Sequence, residues 1–448
     1  MDGAHGITML GWSDYVGLIR CRAVPSHRLE ACLENGLGWA VAGQALTPFS
    51  EIAPNPWGPA AEVRQVPDPS AHVSLPAYDG RAPFDLVLCD SRHLDGSPWD
   101  CCTRDFARRA LAALEADFGL RFVGAFEHEF TLTAGTLTAG TLTTGTITSA
   151  PPFTVEALRV APRFTADLAD ALHEAGLEPE TVEAEYGELQ DEVTTAPATG
   201  LAAADRAILC REVIREVARW HGLRATFSPK PTPNGVGNGA HLHFSFADAG
   251  GTNVTRDPRT ASQASPFAEA FIAGVLDHMP ALVAYTSPSP VSFLRLGPHH
   301  WSCGFASFGI ENREAAIRIC PSPASDPERA ARGFNLEYRP GDATASPYMI
   351  VGALVQAGLS GVWRGLPLPP ACPGDPADLS EAERRELGIV PLPASLSEAL
   401  DALEADAIAS AWMPDLMRSS YTSLKRLEQE LAAAHSPEEL CRRHAAAY

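Results

Sequence analysis

Residues 125–130, AFEHEF, set two carboxylates two positions apart in a strand-like run. Side chains alternate between the faces of a strand, so Glu127 and Glu129 must project together, which is costly unless that face is a site. Three further segments repeat the pattern: Gln190 with Glu192, the trio His241, His243 and Ser245 in HLHFS, and Glu337 with Arg339. One such pair alone reads as a solvated edge, because charged residues mostly sit at the surface. Four in one chain read as a shared site. Carboxylates with imidazole suit Mg2+ or Mn2+, and the absence of paired cysteines argues against structural zinc.

A second group is cationic. Arg295, Arg313, Arg318, Arg332 and Arg339 gather in one stretch that also holds Glu337. In a chain with 34 Lys and Arg against 55 Asp and Glu, this concentration points to a bound anion, since guanidinium forks fit phosphate and carboxylate. Metal ligands and arginines together point to phosphoryl transfer, which rests on positioning and charge neutralisation. The glycine-rich stretch NGVGNGAHLH at 234–243 leads into a strand and lacks the third glycine of a dinucleotide fingerprint, and no GxxxxGK[ST] occurs.

The 448 residues, 45% of them hydrophobic, allow one large domain and a smaller one. A formal charge of −21 would repel nucleic acid and anionic membranes, so neither is an expected partner. No run of about eighteen apolar residues occurs and the opening MDGAHGITMLGWSDYVG lacks signal-peptide features, so a cytoplasmic location is expected. The ten cysteines never form CxxC and read as reduced, structural thiols.

Residues 1–96 mix prolines with short apolar runs such as APFDLVLCD at 82–90 and read as a small strand-rich domain; a second domain covers 97–448. Helical spacing marks 104–118, followed by the strand-like RFVGAFEHEFTL. The near-repeat at 131–149 has too few bulky side chains to anchor a core and is expected to be a loop or surface hairpin. Further helices are expected at 164–175, 202–221, 266–278, 347–360, 380–387, 396–408 and 419–434, with strands at 181–186, 223–228, 239–247, 313–319 and 334–339. The class is α+β, with catalytic side chains carried on strands.

Six segments resemble, in order, the signatures of glutamine synthetases: AFEHEF, EYGELQDE (185–192), ATFSPKPTPNGVGNGAHLHFS (225–245), RLGP (295–298), ENREAAIRI (311–319) and NLEYRPGDATASPYMIVGALVQAGLSG (335–361). The resemblance implies a β-grasp-like N-terminal domain, a catalytic domain built on a curved antiparallel sheet, and a homo-oligomer whose subunits share active sites, usually a dodecamer of two hexameric rings. It also implies two to three Mg2+ or Mn2+ ions per site and ATP as substrate. Position by position, Glu129, Glu185 and Glu192 resemble the ligands of the metal nearer the substrate; Glu127, His241 and Glu337 resemble those of the metal on the nucleotide phosphates. Arg295 and Arg339 resemble the arginines at the glutamate carboxylate and the transferred phosphoryl group, with Gly237 in the loop around the amino acid. His243, Ser245, Arg313, Arg318 and Arg332 resemble nucleotide-side residues.

Three positions depart from the family pattern. Trp301 stands where a flap glutamate assists ammonia deprotonation, Ala40 where an N-terminal aspartate binds ammonium, and Val236 where a loop asparagine contacts glutamate. Ammonium needs carboxylates to hold it, whereas indole and methyl groups suit a larger amine with apolar surface. The expectation is therefore γ-glutamylation of an organic amine through a γ-glutamyl phosphate, with Trp301 and Ala40 at the amine site and His300 as a flap base. Trp301 also reads as a core residue, and ammonia-dependent glutamine synthesis, ligation of another carboxylic acid and a catalytically silent assembly stand as alternatives.

Overall fold

The computed structural model describes residues 6–77, 80–134, 150–299, 301–322 and 325–448. The N-terminal part is a five-stranded sheet of β1 (Ile7–Ser13), β2 (Ile19–Pro25), β3 (Leu37–Ala40), β4 (Glu62–Leu75) and β5 (Phe84–Arg92), ordered β2-β1-β5-β4-β3. Only the β1–β5 pairing is parallel. Alternation along β4 sends Val63, Val73 and Leu75 inward, the pattern of a half-buried strand.

Next come β6 (Arg121–Ala134), β7 (Pro179–Ala184), β8 (Gln190–Thr195), β9 (Ala198–Thr199), β10 (Leu223–Thr226), β11 (Leu242–Ala247), β12 (Phe305–Ala306), β13 (Phe308–Ile310), β14 (Ile317–Ile319) and β15 (Leu336–Tyr338). All but β12 join a nine-stranded sheet with the main path β13-β14-β15-β11-β6-β8-β7; β9 and β10 also pair with β6. Every pairing in it is antiparallel except β13–β14. The α+β expectation holds. β6 is the longest catalytic strand, and its phenylalanines Phe122, Phe126 and Phe130 are buried on the core side.

Helices cover that core. Pro266–Asp277 packs against Pro347–Arg364 backbone to backbone, because a Cβ at Gly274 would stand 2.5 Å from the amide nitrogen of Gly361. The two parts of the chain are locked by buried charge: Arg104 donates to Asp90 of β5 at 2.8 Å and to both carboxylate oxygens of Asp205, whose Oδ1 also accepts from the Tyr348 hydroxyl. Among the described residues no single helix is long and apolar enough to cross a membrane; Pro266–Asp277 and Met279–Thr286 pass only as a pair, bent by 81°. Both contribute to the core through Phe271, Val275, Leu282 and Tyr285.

Several expectations need correction. The strand expected at 313–319 is only Ile317–Ile319, because Glu311 takes φ 56° and the chain turns there. The helix expected at 396–408 stops at Ala405; the Asp406 carboxylate caps a new helix, accepting from the Ile408 and Ala409 amides, and turns its other oxygen to His278. The repeat expected as a loop from 131 begins inside β6, whose Leu132 is buried, and 135–149 lie outside the described residues. Helices that the spacing did not predict include Met279–Thr286, apolar all round, and Pro437–Ala447, capped by Ser436.

Candidate active site

The site is a consequence of strand register. β6 lies between β8 and β11, with Glu129 opposite Glu192 and Phe126 opposite Leu242. β7 adds Glu183 opposite Glu192, and β15 adds Glu337 opposite His243. Just before β11 the chain stays hydrogen-bonded to β6, with the Glu127 amide donating to the His241 carbonyl at 2.9 Å. Residues far apart in sequence thus fall into adjacent rows on one face.

Of the two expected ligand groups, one comes together as expected and the other is divided between two clusters. Glu127, His241 and Glu337 bring donor atoms within 4.8 Å of one another. His241 Nδ1 lies 3.3 Å from Glu127 Oε2 and 3.5 Å from Glu337 Oε1. Glu129 and Glu192 converge likewise with His241, and Glu185 joins Glu192 through a group completed by Glu183. Carboxylate oxygens with one imidazole form a donor set for a hard divalent cation, so the residues present fit Mg2+ or Mn2+.

The electrostatics agree. Burial and the negative charge of Glu129 push Glu185 up to about 7, and burial with Glu127, Glu129 and Glu185 pushes Glu192 well above the carboxylate range. These carboxyls repel one another, and a cation would relieve them. Glu127 is held well below the usual range despite its burial, through hydrogen bonds from His241 and His243. Glu337 is lowered against the cost of burial by Arg339 and His243.

The five arginines divide into two sets. Arg295, Arg318 and Arg339 are buried beside the ligands. Arg318 Nη1 donates to Glu337 Oε2 at 2.8 Å, and Arg339 donates to Glu337 Oε1. Arg295 is seated by the Pro340 and Arg339 carbonyls, with Nη2 3.3 Å from His241 Nε2. Arg313 and Arg332 are exposed, and they line an open cavity of about 1290 Å3 that Glu127, Glu129, Glu185, Glu192, His241, Arg295 and Arg339 also line. His243 and Ser245 line it as well; Arg318 does not, its guanidinium being directed to Glu337.

The positions that depart from the family pattern fall in different places. Trp301, 58% exposed, and Val236, 40% exposed, both line the cavity. Trp301 is therefore no core residue. Ala40 pairs with Glu62 at the edge of the N-terminal sheet, is exposed, and does not line this cavity. His300 lies outside the described residues.

Gly237 lines the cavity, and a Cβ there would stand 2.6 Å from the Pro229 carbonyl. Sequence reasoning missed its neighbour Gly239, whose amide donates to Glu129 Oε2 at 2.9 Å. A Cβ on Gly239 would meet Arg295 Nη2 at 2.6 Å, His241 Nε2 at 2.8 Å and Glu129 Oε1 at 3.0 Å. Also missed was the role of Gln190, which donates to Glu129 Oε2, the Gly237 carbonyl and Asn238 Oδ1 and so ties the glycine loop to the ligands. Period-two spacing drew attention to Gln190, but only the fold shows what it holds.

Comparison with known proteins identifies the family. The glutamine synthetase catalytic domain matches residues 100–442 and the glutamine synthetase N-terminal domain matches 6–99. A gamma-glutamylpolyamine synthetase of Streptomyces coelicolor is 36% identical over 91% of this chain and 86% of its own length. A glutamine synthetase of Pyrococcus furiosus is 30% identical over 93% of this chain and 89% of its own. Among solved structures, a glutamine synthase homolog covers all of both chains at 39% identity with a TM-score of 0.88. A GmaS–ADP complex covers 97% of this chain and 95% of its own at 25% identity, with a TM-score of 0.81. The chain belongs to the glutamine synthetase family of ATP-dependent ligases.

Proposed function

We propose that this chain is a glutamate–amine ligase, joining the γ-carboxylate of glutamate to an organic amine at the expense of ATP. The observation that carries the reading is the contrast within one cavity: a carboxylate and imidazole set of Glu127, Glu129, Glu185, Glu192, His241 and Glu337 fit for divalent cations, and an exposed indole, Trp301, at the position of the flap carboxylate. Its 36% identity to a gamma-glutamylpolyamine synthetase supports the choice of an organic amine.

Two groups of side chains would hold Mg2+ or Mn2+: Glu129, Glu185 and Glu192 on the amino-acid side, and Glu127, His241 and Glu337 on the nucleotide side. When bound, the ions supply Lewis acidity and neutralise the phosphates. Arg295 and Gly237 orient glutamate. Its γ-carboxylate oxygen attacks the terminal phosphorus of ATP, ADP leaves, and Arg339 neutralises charge on the transferred group. The amine then attacks the acyl carbon and expels phosphate, giving the γ-glutamyl amide. A protonated amine must first lose a proton, and His300, next to Trp301 in sequence, is our candidate acceptor because imidazole titrates near neutrality. His243, Ser245, Arg313 and Arg332 serve the nucleotide, while Arg318 acts on it through Glu337.

Trp301 offers a face for an alkylammonium or aromatic amine. We further propose a homo-oligomer, a dodecamer of two hexameric rings, in which Ala40 serves a neighbour's cavity; its exposure away from its own supports this. The test is to incubate the protein with ATP, Mg2+ and glutamate, add ammonium, alkylamines, diamines, ethanolamine and anilines in turn, and measure ADP and product mass. Turnover that depends on an organic amine is expected. Saturation by ammonium with no response to any organic amine would refute the reading.

A further inference from the structure

Trp301 sits in an unusual piece of backbone. His299, Trp301 and Cys303 take φ of 62°, 52° and 58°, so three non-glycine residues within five positions occupy the left-handed region. Bulky side chains adopt it only when the surroundings hold them there, and such residues cluster at functional sites. What holds this turn can be read from its contacts. The Trp301 amide donates to Glu314 Oε1 at 3.1 Å, and the Trp301 carbonyl accepts from Arg339 Nη2 at 2.7 Å. On either side of Trp301, His299 Nδ1 lies 2.8 Å from Asp375 Oδ2, and the Ser302 hydroxyl donates to the Arg295 carbonyl at 2.6 Å.

Arg295 and Arg339 belong to the site already described. Glu314 does not: it neither lines the cavity nor belongs to the ligand groups. It lies in the turn before β14, beside Arg313, which does line the cavity. Its amide donates to Asn312 Oδ1, and Asn312 is itself anchored by donating to the Cys372 and Gly374 carbonyls. Glu314 thus reaches from a fixed segment to the peptide of an exposed side chain at the cavity wall. Without that acceptor, the Trp301 backbone would keep, among the described residues, only the bond from Arg339, whose guanidinium also serves Glu337.

We propose that Glu314 is a positioning residue for amine selection: its carboxylate holds the strained turn so that the Trp301 indole faces the cavity where the acceptor amine enters. Resting on the proposed function, this adds a residue that touches no substrate and acts through Trp301. Glu314 would then affect the second half of the reaction, capture by the amine, more than binding of ATP.

The experiment uses the full chain, with ATP, Mg2+ and glutamate and with whichever acceptor supports turnover. Glu314→Ala should raise KM for that acceptor about tenfold, the scale of one lost hydrogen bond to a charged group, while KM for ATP stays within about twofold. Glu314→Gln should restore the wild-type value, since its amide oxygen can accept the same N–H. Trp301→Ala should reproduce the loss, and the double variant should be no worse than Trp301→Ala alone, because coupled residues are not additive. An unchanged acceptor KM in Glu314→Ala, an equal rise in KM for ATP, or additive losses in the double variant would overturn the proposal. If ammonium proves to be the acceptor, the organic-amine reading falls, while the same comparison run with ammonium still decides the role of Glu314. Should Glu314→Ala fail to fold, Glu314→Gln is compared in the wild-type and Trp301→Ala backgrounds: it must leave the acceptor KM unchanged in both, and a rise in either would overturn the proposal.

Discussion

Glu337→Gln isolates one charge at the centre of the site. Glu337 is 0% exposed, accepts from Arg318 at 2.8 Å and from Arg339, and lies 3.5 Å from His241. Glutamine keeps the shape but leaves two buried guanidiniums facing a neutral amide. Removing one partner of a buried ion pair costs about 3–5 kcal/mol. At about 1.4 kcal/mol per factor of ten, the lower figure is roughly a hundredfold. Part of that loss destabilises the fold and part weakens the cation that Glu337 would share with Glu127 and His241. With about half of it felt in the reaction, we expect kcat/KM, followed by ADP release, to fall at least about tenfold. The urea midpoint should fall, and added Mg2+ should raise it less than in the wild type. Turnover within about threefold of wild type would refute the assignment, because a charge so placed could not then be part of the reaction centre.

Gly239→Ala should cost at least about tenfold in activity with little change in stability, because its methyl group would press on Arg295, His241 and Glu129; unaltered kinetics would show that this loop moves freely. Mn2+ affinity, measured by titration between about pH 5 and 8, should strengthen as pH rises, since a metal needs carboxylates that have lost their protons. The sign follows from Glu185, raised from 4.5 to about 7, and from Glu192, also raised. The metal-free fold binds protons that the unfolded chain has released across that window, so these groups lower its stability as pH rises and a cation restores it; affinity flat with pH would contradict the cluster. Trp301→Glu should improve the use of ammonium relative to a bulky amine by about tenfold, as a carboxylate replaces an apolar face, read as the ratio of kcat/KM values.

Much of the site was legible because strand side chains repeat every two residues. Glu127 with Glu129, and His241 with His243, announce a shared face from spacing alone, and the structure brings them together through β6 and β11. Long-range register was not legible: nothing local says that Glu183 will stand opposite Glu192 or that Glu337 will stand opposite His243. Arg318 looked like its neighbour Arg313, yet one is buried against Glu337 and the other lines the cavity, a difference set by alternation on β14 and the turn before it. Glycines without a turn signature escape in the same way, because Gly239 matters for the side chains that crowd it, which come from other segments. The helix Met279–Thr286 was missed since a segment buried on every side carries no amphipathic period.

The most direct test of the chemistry follows oxygen. Glutamate labelled with 18O in its γ-carboxylate, turned over with ATP, Mg2+ and the preferred amine, should deliver a single labelled oxygen to each inorganic phosphate released, as mass spectrometry of the phosphate would report, because amine attack expels the oxygen that carried the phosphoryl group. Phosphate free of label, with amide still formed, would contradict an acyl phosphate and with it the account of this site.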